Sequence, residues 1–598
     1  MSDQRNLFIA IVLSMAVVFG WQYLVGVPRM QEEQARQQQQ AAQQPNQATP
    51  QAGAVPTVPA TTVLPRDQAL AQSPTRTEVE TPTLVGSINL AGGRFDDLRL
   101  RNYHETPEPT SPEIELLSPR AAEHPYFAEF GWIAGQGSTA AVPGEMTQWT
   151  LAEGSKLAPG QNVEMTYDNG QGLVFTRRIS VDERYMFTIA DTVDNRSDAP
   201  VTLSPYGLVY RSNIPATTIY WVVHEGFIGV LGGTLKDPTY ADLADGNETQ
   251  RFESQGGWLG ITDKYWMAAV IPPQSEQIAA TYMAYDANGS KAYRSDYVMN
   301  PREVAPNSSH TVVHHLFAGA KLVEIVDDYA ETLAIQRFDM AVDWGWFNPL
   351  TKWMFQALDF LNKLTGNFGV AILVFTVFVK AVFYPLANTS YRAMSKMKKL
   401  QPEMERLRER FKEDKAKQQQ ELMKLYQTEK VNPLAGCLPM LIQIPVFFSL
   451  YKVLLVTIDM RHAPFFGWIK DLSAPDPTSI FNLFGLIPID LPQFLMLGVF
   501  PILMGVTMWI QTNLNPPPAD PVQQRLFAFM PLIFTFMLAS FPVGLVVYWT
   551  WNNLLSIIQQ IVIMRRTGTP VDLIDRLRGM GKRLARGEAP EKPAGPPD

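Results

Sequence analysis

NFGVAILVFTVFVKAVFYPL, residues 367–386, is the stretch on which the fold turns. At 1.5 Å per residue a helix of this length crosses roughly 30 Å of hydrocarbon. Lys380 is the single charge in it. An ammonium at the bilayer centre costs about 2.5–3.5 kcal/mol on insertion scales, so Lys380 must face protein or water, or snorkel outward. It lies about six residues, roughly 9 Å of helix, from the C-terminal end of the run, so snorkelling stays open. The same applies to Lys452.

Comparable runs recur at about 434–458, 492–512, 526–543 and 545–564, the last two joined tightly at Phe541-Pro542-Val543-Gly544. Leu7–Val27 is a further uncharged run. It ends in GVPRMQEE without a small-x-small cleavage site, so it reads as an uncleaved signal anchor. The expectation is a polytopic α-helical membrane protein with six spans, five of them forming a core. A mean hydropathy of −0.07 conceals this by averaging two unlike halves.

Lys/Arg placement sets the orientation. Segment 387–433 carries twelve Lys and Arg, whereas loop 459–491 has only Arg461 and Lys470, and the tail 565–598 is basic again. Segment 387–433, loop 513–525, the tail and the amino terminus are therefore expected in the cytoplasm. The 387–433 segment has the pattern of a helical hairpin, with Met394, Met397, Leu400, Met404, Leu407 and Phe411 on one stripe and Leu422, Leu425 and Tyr426 on another. It is either a pair packing on itself or an adaptable docking surface. Pro402 predicts a hinge in it.

Residues 28–83 are Gln/Pro/Ala/Thr-rich and read as a disordered tether. From 84 to 335 the apolar period is close to two and broken by turn residues, which predicts a large extracytoplasmic antiparallel β-sandwich. HTVVHH (310–315) lies in it. On a strand His310 and His314 are about 13 Å apart, too far for one metal, so they read as structural or surface histidines. Residues 336–366 follow, with Leu350, Trp353, Met354, Ala357, Leu358, Leu361 and Leu364 on one helical stripe. This reads as an amphipathic helix in the membrane interface, a core helix of the β domain being the alternative.

The apolar runs after 366 contain no Asp or Glu, and the chain has no HExxH, GxSxG or GxxxxGK[ST]. That removes the signals of an aspartyl intramembrane protease, metalloprotease, serine hydrolase and nucleotide-binding loop. The chain therefore does not read as an enzyme, and no cofactor or metal is expected. The net charge of −8 speaks against a general nucleic-acid binder, and the lone Cys437 against a disulfide framework. Rival readings are a solute transporter or channel, which would usually show inverted repeats and paired intramembrane charges, and a carbohydrate- or peptide-binding sandwich on an anchor.

NPLAGCLPMLIQIPVFFSLY (432–451) and FPVGLVVYWTWNNLLSIIQQ (541–560) resemble the YidC/Oxa/Alb family of membrane protein insertases. RHAPFFGWIKDLSAPDP (461–477), PILMGVTM (501–508) and DPVQQRLFAFMP (520–531) fit the same family, and the exported β domain resembles its bacterial YidC branch. The resemblance implies a membrane insertase and chaperone working alone or with the Sec translocon. Implied partners are nascent membrane proteins, the ribosome, translocon subunits and lipids. It further implies a hydrophilic groove open to the cytoplasm and to lipid, with one basic residue in the second span, here Lys380 where the family more usually has arginine. Carried over residue by residue, the groove lining is Thr376, Ile444, Phe447, Tyr548 and Trp549. Gln443, Asn552 and Gln559, polar at membrane depth, either add to it or bond between helices. Lys452 is left as a snorkelling residue.

Overall fold

The computed structural model describes residues 63–73, 75–135, 138–214, 223–244, 249–287, 290–345, 347–429, 431, 438–485, 487, 496–515 and 521–568. The 7–27 run, the tether up to 62, Cys437 and the tail beyond 568 lie outside them.

Alternation of apolar and polar residues builds two facing sheets. One runs, edge to edge, Thr249–Gln255, Gln277–Ala287, Ser290–Met299, Val201–Ser212, Tyr126–Ala134, Arg94–His104, Leu84–Asn89, Arg76–Glu80 and Lys156–Leu157. The other runs Thr234–Lys236, Gly226–Leu231, Trp258–Thr262, Trp266–Ile271, Ser308–Ala320, Met186–Asn195, Leu173–Val181, Val163–Asp168 and Thr150–Glu153. All pairings are antiparallel except Arg76–Glu80 with Lys156–Leu157. Order thus begins before the expected boundary at 84. Val79 alternates inward and is fully buried, and Arg76 pairs in register with Asn89. The polar composition around it hid a five-residue strand next to the sheet edge.

Phe95 of one sheet meets Phe187 of the other edge to face, centroids 5.3 Å apart. On Leu173–Val181 the inward positions include Arg177, fully buried. Its guanidinium grips Asp191 through two bonds, 2.6 and 2.8 Å, and donates to the carbonyls of Gly93 and Phe130. Burying such a pair costs desolvation, which these extra bonds offset. His314, also fully buried, meets the Tyr297 hydroxyl at 2.5 Å and the Phe130 ring at 5.2 Å. Its strand setting agrees with a structural role.

Eleven helices are named here in chain order: α1 (Arg66–Ala71), α2 (Tyr240–Ala244), α3 (Val323–Thr332), α4 (Asn348–Thr365), α5 (Phe368–Val382), α6 (Tyr384–Arg410), α7 (Lys415–Thr428), α8 (Leu438–Val456), α9 (Val499–Leu514), α10 (Pro521–Leu538) and α11 (Val543–Arg566). In α4 the buried residues are Thr351, Met354, Phe355 and Leu358. Met354 and Leu358 of the expected stripe are thus buried, with Leu350, Ala357 and Leu361 packed against the core, and Phe355 widens the buried face by packing on Trp344 of the preceding linker at 5.6 Å. Trp353 and Leu364 of the expected stripe stay exposed, with Phe360 beside them. Lys352 bonds Asp327 at 3.0 Å and Lys363 bonds Glu324 at 2.6 Å, which fastens α4 to α3 of the outer domain.

Between α5 and α6 the chain bends by 68° at Phe383. Pro385 sits in the first turn of α6, where a missing amide costs nothing. The break expected at Pro402 is absent: α6 runs through it. α7 returns along α6, its start capped by Asp414 accepting from the Lys417 amide at 3.0 Å, with the Tyr426 hydroxyl 3.8 Å from the Met404 sulfur. Among the described residues no single helix is long and apolar enough to cross a membrane, and one bent pair, α5 with α6, passes by length and composition.

Candidate functional site

α11 is the hub of the helical region. Its sequence VGLVVYWTWNNLLSIIQQIVIMRR mixes apolar residues with Asn552, Asn553, Ser556 and Gln560, all of them buried. Such groups need partners at depth, and each neighbouring helix supplies some.

Toward α5, Lys380 donates to the Ser556 hydroxyl at 2.8 Å, and Ser556 donates to the Asn552 carbonyl one turn back at 2.7 Å. The Trp551 indole donates to the Leu373 carbonyl at 3.1 Å, fixing the same two helices one and a half turns higher. Toward α8, Gln443 donates to the Tyr548 hydroxyl, and Phe447 meets Trp549 edge to face at 4.7 Å. Toward α9, Asn553 reaches Thr507 at 3.3 Å and Gln560 reaches Asn515 at 3.0 Å.

The residues expected at the site are thus partly brought together. Lys380, Gln443, Phe447, Tyr548 and Trp549 all meet at α11 or lie on it. Thr376 is buried one turn before Lys380, but its hydroxyl bonds the Ile372 carbonyl of its own helix at 2.6 Å. Ile444 is exposed. Asn552 is buried, and Gln559 is half-buried while its neighbour Gln560 takes the inward position. Ser556 was not singled out in the sequence. The signal was present, since 552, 556 and 560 recur every four residues and so share one helical face. Helices α5, α8, α9, α10 and α11 carry no Asp or Glu, so the partner found for the ammonium is a neutral hydroxyl.

Lys452, near the other end of α8, does not snorkel. It bonds Asp343 of the linker from the outer domain at 2.5 Å, and its stem lies across Gly345, where a Cβ would meet it at 2.8 Å. At that same end the loop after α8 closes over the bundle. The amide of Val543 donates to the Ala474 carbonyl at 2.7 Å, and that of Gly544 to the Leu472 carbonyl at 3.0 Å.

Residues 360–569 match the family model of the 60Kd inner membrane protein, and residues 76–357 match that of the YidC periplasmic domain. The membrane protein insertase YidC of Sinorhizobium fredii is 51% identical over 585 residues, covering 97% of this chain and 98% of the relative. That of Brucella suis is 50% identical over 606 residues, covering 98% and 99%. A crystal structure of an active YidC insertase with its first transmembrane domain resolved aligns over 80% of this chain and 90% of that one, at 18% identity and a TM-score of 0.35. With half of all positions shared over nearly the whole length, the chain belongs to the YidC family of membrane protein insertases.

Proposed function

We propose that this chain moves transmembrane segments of nascent proteins from the cytoplasm into the inner membrane, through a hydrophilic, positively charged groove between α5, α8 and α11. The observation that carries the reading is the Lys380–Ser556 contact: one ammonium, held on a neutral hydroxyl, in helices without a carboxylate. Such a charge attracts an acidic flank of the substrate without binding it for good. Thr376, Gln443, Ile444, Phe447, Tyr548 and Trp549 line the path in this reading, Tyr548 and Gln443 offering polar atoms and Phe447 and Trp549 an apolar edge. The apolar part of the substrate then passes into lipid, driven by its own transfer free energy. No bond is made or broken, so no enzymatic step is needed.

The reading places six spans in the membrane, the 7–27 run and those centred on α5, α8, α9, α10 and α11, with both termini cytoplasmic and the sandwich periplasmic. The closure of loop 472–474 over α11 supports a groove shut toward the outside. The basic hairpin suits the ribosome or anionic headgroups, and in this reading the chain works alone or with the Sec translocon. The test is reconstitution of the chain alone in liposomes with a short single-span substrate. Protease-protected, membrane-integrated substrate is the expected result, and solute flux without insertion would end the reading.

A further inference from the structure

Outside the groove, the apolar surface of this protein is unevenly spread. Over the described residues from 63 to 345 the exposed large hydrophobic side chains are Val63, Met146, Val313 and Leu333, each isolated in sequence. Within the long segment between α8 and α9, Phe466, Trp468, Phe481, Leu483, Phe484 and Ile487 are all exposed, Phe466 at 63% and Phe484 at 53%. Apolar patches of this density on a soluble face mark a surface that something covers.

Two carboxylates of the loop are turned the other way. Asp471 accepts from the amides of His462 and Ser473 at 3.1 and 2.8 Å. Buried Asp476 accepts from the Trp468 indole, the Thr478 amide and, at 3.0 Å, the Phe500 amide in the first turn of α9. Lys470 reaches across to Glu108 of the sandwich at 3.0 Å. Lys470 is itself exposed, and among the described residues the rest of the outward face is mainly aromatic and aliphatic.

The loop is also fixed in height. The ring of Phe465 lies against Gly369 in the first turn of α5, where an added Cβ would meet it at 2.0 Å, and the Asn367 side chain holds the Phe465 carbonyl at 3.1 Å. Trp468 packs toward Phe500 at the start of α9, ring centroids 6.2 Å apart. Exposed Phe466 and Trp468 therefore stand at the outer ends of two helices of a membrane protein. Trp353, the exposed aromatic of α4, contacts Phe375 of α5 nearby, centroids 6.0 Å apart. Side chains that combine apolar area with a polar handle collect at this level of a bilayer. Leu483 and Phe484 keep their exposure through consecutive left-handed backbone conformations, φ 50° and 59°, which residues with a Cβ adopt at a cost.

From the continuity of this patch with the ends of α5 and α9, we infer that the described part of the loop, 463–485 and 487, is seated in the lipid of the outer leaflet, at the boundary of acyl chains and headgroups, and is not a water-exposed connection. Its aromatics form a collar that sets how deep the outer ends of α5 and α9 sit.

The test uses the full chain carrying Cys437→Ser, with single cysteines introduced as Phe466→Cys or Phe481→Cys and spin-labelled. The protein is diluted into vesicles of phosphatidylethanolamine and phosphatidylglycerol. Val506→Cys on the exposed face of α9 and Val313→Cys on the sandwich serve as the lipid and water references. Seating at the acyl–headgroup boundary gives both loop labels a ratio of oxygen to nickel-chelate collisions between those at Val506→Cys and Val313→Cys, and clearly above the latter. A ratio like that at Val313→Cys would overturn the inference. So would labels shielded from both reagents, the signature of a covering protein, a second copy of the chain included. As a second arm, Phe481→Ser combined with Phe484→Ser should move the Phe466→Cys label toward water if the collar acts as one unit. An unmoved label there would show that the two halves do not share a seat, against the inferred collar.

Discussion

Lys380 on α5 donates to Ser556 on α11 at 2.8 Å, and Ser556 in turn donates to the Asn552 carbonyl, so the serine oxygen keeps its lone pairs for the ammonium. The hydroxyl is neutral, and the charge is therefore held in place without being cancelled. At about 4 Å and an effective dielectric constant of about 20, an ammonium and a carboxylate attract by about 4 kcal/mol.

The first prediction follows from that charge. Lys380→Ala and Lys380→Glu should impair insertion of substrates with acidic translocated tails far more than of substrates with uncharged tails. Lys380→Arg should keep the preference, since a point charge suffices. The ratio of acidic-tailed to neutral-tailed insertion in reconstituted vesicles measures it. Normal handling of acidic tails by Lys380→Glu would remove the electrostatic role.

Asp343 faces two cations. Lys452 bonds it directly, and Lys321, buried in the sandwich and pushed down to about 8 by that burial, feels the same carboxylate. Asp343→Asn should therefore weaken the junction between outer domain and α8, by about 1.5–3 kcal/mol, the range for a hydrogen bond to a charged group. The charge swap Asp343→Lys with Lys452→Asp should recover part of the loss. A double-mutant cycle on thermal unfolding in detergent checks it, and purely additive effects would mean that the pair is uncoupled.

Burial among aromatic residues pushes His314 down to about 4, while the unfolded chain titrates near the ordinary value of 6.5. The unfolded state then takes up the proton first, so this stabilisation is complete above pH 6.5 and is lost as pH falls from 6.5 to 4. Asp296 works in the opposite sense, since burial raises its carboxyl to about 6 and favours the folded state on acidification. Comparison with His314→Gln separates them. Between pH 7 and 4.5 the advantage of the native chain over the variant should shrink by on the order of 2–3 kcal/mol. A pH-independent difference in chemical unfolding would show that His314 does not titrate this way.

The helices α5, α8, α9, α10 and α11 were legible because long apolar runs need no tertiary information. The sandwich was legible from its period of two. Arg76–Glu80 was missed because a short, mostly polar strand carries little periodic signal, and its neighbour at the sheet edge, Lys156–Leu157, lies far along the chain. The apolar stripe of α4 was largely legible, but the inward turn of Phe355 was not, since it depends on Trp344 of the linker. Lys452 looked like Lys380 in sequence. What separates them is a carboxylate more than a hundred residues upstream.

The polar attachments of the outer domain include Lys352–Asp327, Lys363–Glu324, Lys452–Asp343, Lys470–Glu108 and Arg461 on the His104 carbonyl. Three of these five acceptors lie after residue 321. Deleting about 90–320 while keeping 321–366 should therefore leave insertion largely intact. Loss of insertion by a truncated chain that still integrates and resists proteolysis would give the sandwich a direct part in the process.

The last prediction concerns the bend between α5 and α6. Pro385 has no amide to continue the ladder of α5, and in a straight helix its ring would strike the Ala381 carbonyl. At the first turn of α6 neither matters, so the proline favours the 68° bend over one long rod. The bend brings Lys399 to the Thr567 carbonyl at 2.8 Å, laying the base of the hairpin beside the end of α11. Pro402 lies within continuous helix, where it removes a hydrogen bond worth keeping, so Pro402→Ala should stabilise the hairpin without moving it. Pro385→Ala should instead let α5 and α6 straighten and carry the hairpin away from α11. Spin labels at Phe411→Cys and Arg566→Cys, in a Cys437→Ser chain, report this as a longer and broader distance distribution for Pro385→Ala alone, accompanied by reduced insertion. An unchanged distance would mean that the contacts of Lys399 and its neighbours hold the bend. A lengthened distance with full insertion would mean that the position of the hairpin is unimportant to the groove beneath it.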